Sequence, residues 1–128
     1  MKAARILLVD DEVEIIRLLT RRLTRRGYEV AAATDAGQAL ALLEQRACDL
    51  AIIDFMMPGI SGLELAAQCR LRFPALKILM LTGSPVVTEI EAAGYAYLPK
   101  PLENLQELDS VVERMLVEAG KGPGAGAG

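Results

Sequence analysis

The chain has 128 residues, 52% of them hydrophobic, and a formal net charge of −3. That length buries one two- or three-layer core without staples, and the acid excess argues against nucleic acid as a direct partner, because a phosphate backbone needs a basic face. No apolar run approaches the ~20 residues that span a bilayer, and MKAARILLVDDE has too short an apolar core for a signal peptide, so a cytoplasmic protein without a membrane partner is expected.

Arg5 to Val9, RILLV, is an aliphatic run without polar alternation, the pattern of a strand covered on both faces as in a parallel sheet. It ends on Asp10, Asp11 and Glu12. The helix that follows carries Ile15, Leu19 and Leu23 on one stripe, with Val13 and Ile16 beside it, and closes at Gly27. Arg21, Arg22, Arg25 and Arg26 fall in its last turns, where cations complement the helix dipole. Tyr28 to Ala33 reads as a second strand. Asp35 with Gln38 resembles a capping box, opening a helix to about Arg46 with Leu40, Leu42 and Leu43 as its apolar side. Cys48 and Cys69 stand singly, with no CxxC and no histidine to complete a zinc or nucleophile pairing, and read as small core hydrophobes.

Leu50 to Ile53 is a third buried strand, and it delivers Asp54. A carboxylate at the tip of an apolar strand is badly suited to packing and well suited to meeting a ligand, since sheets of this kind open to water at strand ends. Asp54 is therefore the expected reactive group. Phe55 to Gly59 form the loop after it, and Ser61 with Glu64 gives a clearer capping box for a helix that runs to about Arg72 and stops before Pro74. Leu76 to Leu81 is the fourth strand, ending at Thr82, Gly83, Ser84 and Pro85. A short helix from about Val86 to Ala93, Gly94, and a fifth strand from Tyr95 to Leu98 lead to Pro99, Lys100 and Pro101. The final helix has Leu105, Leu108, Val112 and Met115 as its expected buried face. After Glu118 the sequence AGKGPGAGAG has nothing to bury, which predicts a domain over residues 1–118 and a flexible Gly-rich tail over 119–128.

Short aliphatic strands alternating with helices imply right-handed crossovers and an α/β fold, a parallel sheet with helices on both faces. No GxGxxG or GxxxxGK[ST] fingerprint occurs, which argues against a nucleotide binder. In a parallel sheet all carboxyl-terminal strand ends share one edge, and there the polar residues are Asp10, Asp11, Asp54, Thr82 and Lys100. Taken singly, each has an ordinary explanation as a cap, a turn or a solvated side chain. Together, acids this close raise one another's pKa unless a cation offsets them. Mg²⁺ suits a site with two or three carboxylates and room for water and a phosphate oxygen. A carboxylate can attack phosphorus to give an aspartyl-phosphate, and phosphoryl transfer needs mostly positioning and charge neutralisation. With no histidine in the chain, any phosphohistidine donor belongs to another molecule.

VDDE after the first strand, IIDFMMPGISG around the end of the third, LTG after the fourth and YLPKP after the fifth together resemble a two-component response-regulator receiver domain, over roughly Ala4 to Leu116. The resemblance implies a flavodoxin-like strand order, 2-1-3-4-5. It implies that Asp54 accepts the phosphoryl group, and that Asp11, Asp54 and the Met56 carbonyl bind Mg²⁺ with Asp10 acting through water. Thr82 would contact the phosphoryl oxygens and Lys100 would pair with them. Tyr97 occupies the family's switch-aromatic position, with Thr82 as the other switch residue, and the Lys100–Pro101 bond is commonly cis in relatives. The segment from Thr82 to Lys100 is shorter than usual by about one helical turn, which predicts a stunted fourth helix.

The expected role is a phosphorylatable switch rather than an enzyme, charged by a sensor histidine kinase or histidine phosphotransfer protein and read by a downstream protein target. Competing readings are a receiver fragment of a longer regulator or kinase, and a pseudo-receiver that binds partners without phosphorylation. A Mg²⁺-dependent aspartyl phosphatase is disfavoured, because its usual second acid two residues after the nucleophile is here Met56.

Overall fold

Strand and helix alternate throughout the computed structural model, which describes residues 3–83, 87–100 and 104–118. The elements are β1 (Arg5–Val9), α1 (Val13–Arg25), β2 (Glu29–Ala33), α2 (Ala36–Gln45), β3 (Leu50–Asp54), α3 (Gly62–Arg72), β4 (Lys77–Thr82), α4 (Thr88–Ala92), β5 (Ala96–Pro99) and α5 (Leu105–Glu118). All five strands pair in parallel, in the order β2-β1-β3-β4-β5. This is the flavodoxin-like order, and the direction of winding reverses between β1 and β3, where such sheets open a crevice.

The lack of polar alternation in the strands has its cause in two separate cores. Ile6 and Leu8 of β1 face one side with Leu19 and Leu23 of α1 and Leu108 and Val112 of α5. Leu7 and Val9 face the other, with Leu43 of α2, Leu65 of α3 and Ile90 of α4. Every residue of β3 is buried. Successive side chains point to opposite faces, so a strand covered on both must be apolar at every position until it reaches the rim.

Local signals fix the helix ends. Gly27 follows α1 with φ 93°, the left-handed conformation that ends helices. Asp35 accepts from the Gln38 N–H at 2.8 Å, while the Gln38 side chain accepts from the Thr34 N–H, one residue upstream of a reciprocal box. Ser61 accepts from the Glu64 N–H at 3.2 Å. The stunted fourth helix is borne out, since α4 has five residues.

The buried face of α5 differs from the expectation. Leu108, Asp109, Val112 and Leu116 are buried, whereas Leu105 and Met115 are only partly covered. Leu108, Val112 and Leu116 form a line at spacing four, so the stripe turns past Met115. Asp109 is buried because Arg22 forks onto it at 2.9 and 2.6 Å and Arg26 lies 3.6 Å away, which fastens α1 to α5. Cys48 and Cys69 are buried free thiols, as read. Val86, the Lys100–Pro101 bond and the tail 119–128 lie outside the described residues. No described helix is long and apolar enough to cross a membrane.

Candidate functional site

Register brings the polar strand ends level. Val9 pairs with Ile53, so the next residues, Asp10 and Asp54, emerge side by side from neighbouring strands. Asp54 pairs with Leu81 and Thr82 with Pro99, so Thr82 and Lys100 arrive on the same rim. The Lys100 N–H donates to the Thr82 carbonyl at 2.8 Å, which extends the ladder one step beyond β5 and fixes where the lysine starts.

Asp54 is held from behind by an unusually close approach. The Gly62 N–H donates to the Phe55 carbonyl at 3.0 Å. A Cβ at Gly62 would overlap the Asp54 carbonyl oxygen and lie 2.9 Å from the Phe55 Cα. Only glycine lets the first turn of α3 lie against the end of β3. The Asp54 side chain then turns into the cleft, where its Oδ1 accepts from the Met56 N–H at 3.2 Å.

One ammonium serves three carboxylates. Lys100 Nζ lies 2.8 Å from Asp10 Oδ2, 2.8 Å from Glu12 Oε1 and 3.2 Å from Asp54 Oδ2. Burial and the neighbouring Asp10 charge push the Asp54 carboxyl up to about 6, against the pull of Lys100 and the Met56 N–H. Burial works to lower the Lys100 pKa, yet the close contacts with Asp10 and Glu12 and the charges of Asp54 and Asp10 outweigh it and hold the lysine above its ordinary value.

The cleft over these groups has a volume of about 460 Å³ and is lined by Asp11, Glu12, Asp54, Met56, Gly83 and Lys100. A larger one of about 560 Å³ lies at the other end of the sheet, around Arg70, Lys77 and Tyr95, with no acid among the described residues that line it. Size does not set the two ends apart. The acids do.

Carboxylate oxygens of Asp10, Glu12 and Asp54 all lie within 4.8 Å of one another. The buried Asp10 Oδ2 has no aligned hydrogen-bond donor, although Lys100 is near. Oxygen donors in excess of the local positive charge, with an acid oxygen left over, fit a hard divalent cation. Among the expected site residues, Asp10, Asp54 and Lys100 are in direct contact. Asp11 is exposed and lies on the wall of the same cleft, outside the tight group of acids. Thr82 is buried at the rim. Tyr97 lies further along β5, half-buried, and its hydroxyl donates to Glu91 of α4 at 3.2 Å.

Sequence reasoning passed over Glu12 and Gly62. Glu12 stands in the sequence only as the third acid after β1, although that run of three acids was a signal. Its N–H donates to Asp10 Oδ1 at 2.9 Å, which turns the chain so that residues 10 and 12 face the same lysine.

The sequence matches the family model described as the response regulator receiver domain over residues 6–113. Response regulator MprA of Mycolicibacterium vanbaalenii is 37% identical over 95% of this chain and 54% of its own length. The DNA-binding transcriptional regulator NtrC of Azospirillum brasilense is 38% identical over 91% of this chain and 25% of its own. The chain thus spans about half, or less, of these relatives. Response regulator TrrA of Thermotoga maritima, solved with Mg²⁺-BeF, superposes with a TM-score of 0.81 at 36% identity over 88% of this chain and 99% of that one. Chemotaxis protein CheY4 of Vibrio cholerae gives 0.82 at 31% identity, over 90% and 100%. The family match runs from the second residue of β1 into α5 and takes in every element that builds the cleft, so this chain belongs to the response regulator receiver domain family.

Proposed function

We propose that this receiver domain accepts a phosphoryl group on Asp54 and passes the change to a protein partner through Thr82 and Tyr97. The observation that carries the reading is the Asp54 carboxylate, buried beside Asp10 and contacted at 3.2 Å by the Lys100 ammonium. An Asp54 oxygen forms a bond to phosphorus as the bond from phosphorus to the donor nitrogen of a phosphohistidine breaks, and the imidazole leaves with that electron pair. Lys100 meets the added negative charge, and the Thr82 hydroxyl contacts a phosphoryl oxygen. The donor is a sensor histidine kinase or a histidine phosphotransfer protein.

Asp10, Asp11, Asp54 and the Met56 carbonyl would hold Mg²⁺. When bound, the ion supplies positive charge for the phosphoryl oxygens and offsets the crowded acids. Tyr97 leaves its bond to Glu91 and turns inward as Thr82 moves towards the phosphoryl group, which remodels the surface of α4, β5 and α5. With α4 reduced to five residues, that surface is built mainly from β5 and α5. The output is protein binding, in keeping with the acid excess of the chain.

The test is incubation with Mg²⁺ and acetyl phosphate, with intact masses compared between wild type and Asp54→Ala. One phosphoryl group gained by wild type and none by the variant is the expected result. No gain on folded wild type would favour a binding module that works without phosphorylation.

A further inference from the structure

We propose that Glu12 is a positioning residue that competes with the phosphoryl group for Lys100: its carboxylate occupies the water-facing side of the ammonium and must withdraw before Lys100 can pair with a phosphorylated Asp54. This rests on the phosphoacceptor reading of the same cleft.

The donor inventory forces the competition. A lysine ammonium has three N–H groups, and three carboxylates already stand at 2.8, 2.8 and 3.2 Å from Nζ. A phosphoryl oxygen must therefore compete for Nζ with whichever of the three is easiest to release. The Asp10 and Asp54 side chains are 4% and 5% exposed. Asp10 is tied further by the Glu12 N–H, and Asp54 by the Met56 N–H. Lys100 is 10% exposed and its backbone is fixed to Thr82. Glu12 alone is mostly in water, at 60%, so releasing it strands no buried charge.

A second observation is independent of that count. Glu12 is the N-cap of α1, a position whose side chain ordinarily accepts a free N–H of the first turn, yet it makes no such bond. Its carboxylate reaches instead to a lysine 88 residues away, with hydrogen-bond geometry that Asp10 Oδ2, at the same distance, lacks. Helix capping does not explain a glutamate here. Restraint of Lys100 does.

The experiment follows phosphorylation by acetyl phosphate with Mg²⁺, in which the Asp54–phosphorus bond forms as the bond to the acetate oxygen breaks and acetate leaves. Wild type, Glu12→Gln and Glu12→Asp are compared at low and high salt, with thermal unfolding confirming that each is folded. Removing one unit charge about 5 Å from the incoming group predicts a rate about fourfold higher for Glu12→Gln at low salt. The gain belongs in a lower KM for acetyl phosphate and shrinks as salt is raised. Glu12→Asp, which keeps the charge on a shorter arm, falls between the two. A Glu12→Gln rate equal to or below wild type overturns the proposal. A slower variant that also needs more Mg²⁺ would make Glu12 an aid to the cation instead. Folded wild type that takes no phosphoryl group overturns the phosphoacceptor reading, and this inference with it, whereas a phosphorylated wild type with an unaltered variant overturns this inference alone.

Discussion

The two ends of the sheet treat charge in opposite ways. At the amino ends of the strands, an exposed pair is matched in charge: Arg46 forks onto Glu29 at 2.5 and 2.8 Å. At the carboxyl ends, three carboxylates share one lysine, and two of the three are buried. Both ends belong to the same strands and the same two cores, so the difference cannot lie in the fold. It lies in what each end is for. Exposed matched pairs add little to stability, whereas buried unmatched acids cost stability and make a site ready for a cation and a phosphoryl group.

The sharpest way to break this contrast is at Gly62. Replacing it with alanine drives a methyl into the Asp54 carbonyl, and backbone on both sides must move. The expected loss is about 3 kcal/mol or more, at the upper end for single substitutions, and denaturant unfolding of Gly62→Ala measures it. A loss under about 1 kcal/mol would mean that the carboxyl rim yields easily and does not hold Asp54 in a set place.

Asp54→Asn should act in the opposite direction. In metal-free protein at pH 7 it removes a buried charge whose pKa has risen from 3.8 to about 6, and a gain of about 2 kcal/mol follows. The sign is set by proton uptake. Between those values the native state holds a proton that the unfolded chain has lost, so the contribution of Asp54 to stability improves as pH falls through about 6 and worsens as pH rises. Urea titrations should therefore show the gap between variant and wild type widest at pH 7 and closing towards pH 4. A gap independent of pH would show that packing, not charge, separates them.

Added Mg²⁺ should sharpen the same contrast with a smaller effect. A cation that binds only the folded chain raises its stability by mass action, by about 1.4 kcal/mol at a tenfold excess over Kd. The wild-type melting temperature should rise with Mg²⁺ at pH 7, and Asp54→Asn should lose most of the rise. An equal rise in both would place the cation somewhere other than the Asp54 cleft.

Much of this was legible in the sequence, for reasons that differ by element. Continuous aliphatic runs such as LAII can be satisfied only by a strand covered on both faces, and a run that stops at an acid marks the rim, so β3 and Asp54 could be read directly. The α1 arginines were legible only as a dipole preference. That Arg22 and Arg26 fasten α5 depends on the two helices lying together on one face, with Arg22 and Asp109 87 positions apart in the chain. Gly62 was hidden because its need is for close approach, and its neighbours in space come from β3. Glu12 was hidden by its exposure, since an acid at a helix start has an adequate local reason to be there.

The smallest expected effect tests the amino end. Arg46 is 53% exposed and Glu29 39%, so even a forked pair is well screened by water. Arg46→Ala should cost about 0.5 kcal/mol, and less at high salt. It should leave the rate of Asp54 phosphorylation unchanged. Glu29 begins β2, whose partner β1 ends next to Asp10, so a path between the two ends exists along five paired residues. Phosphorylation that slows in Arg46→Ala would mean that strain at one rim reaches the other along β1. An unchanged rate together with a small loss of stability would mean that the buried strands keep the two ends apart, so the acid rim could be rebuilt without resetting the charges at the opposite end.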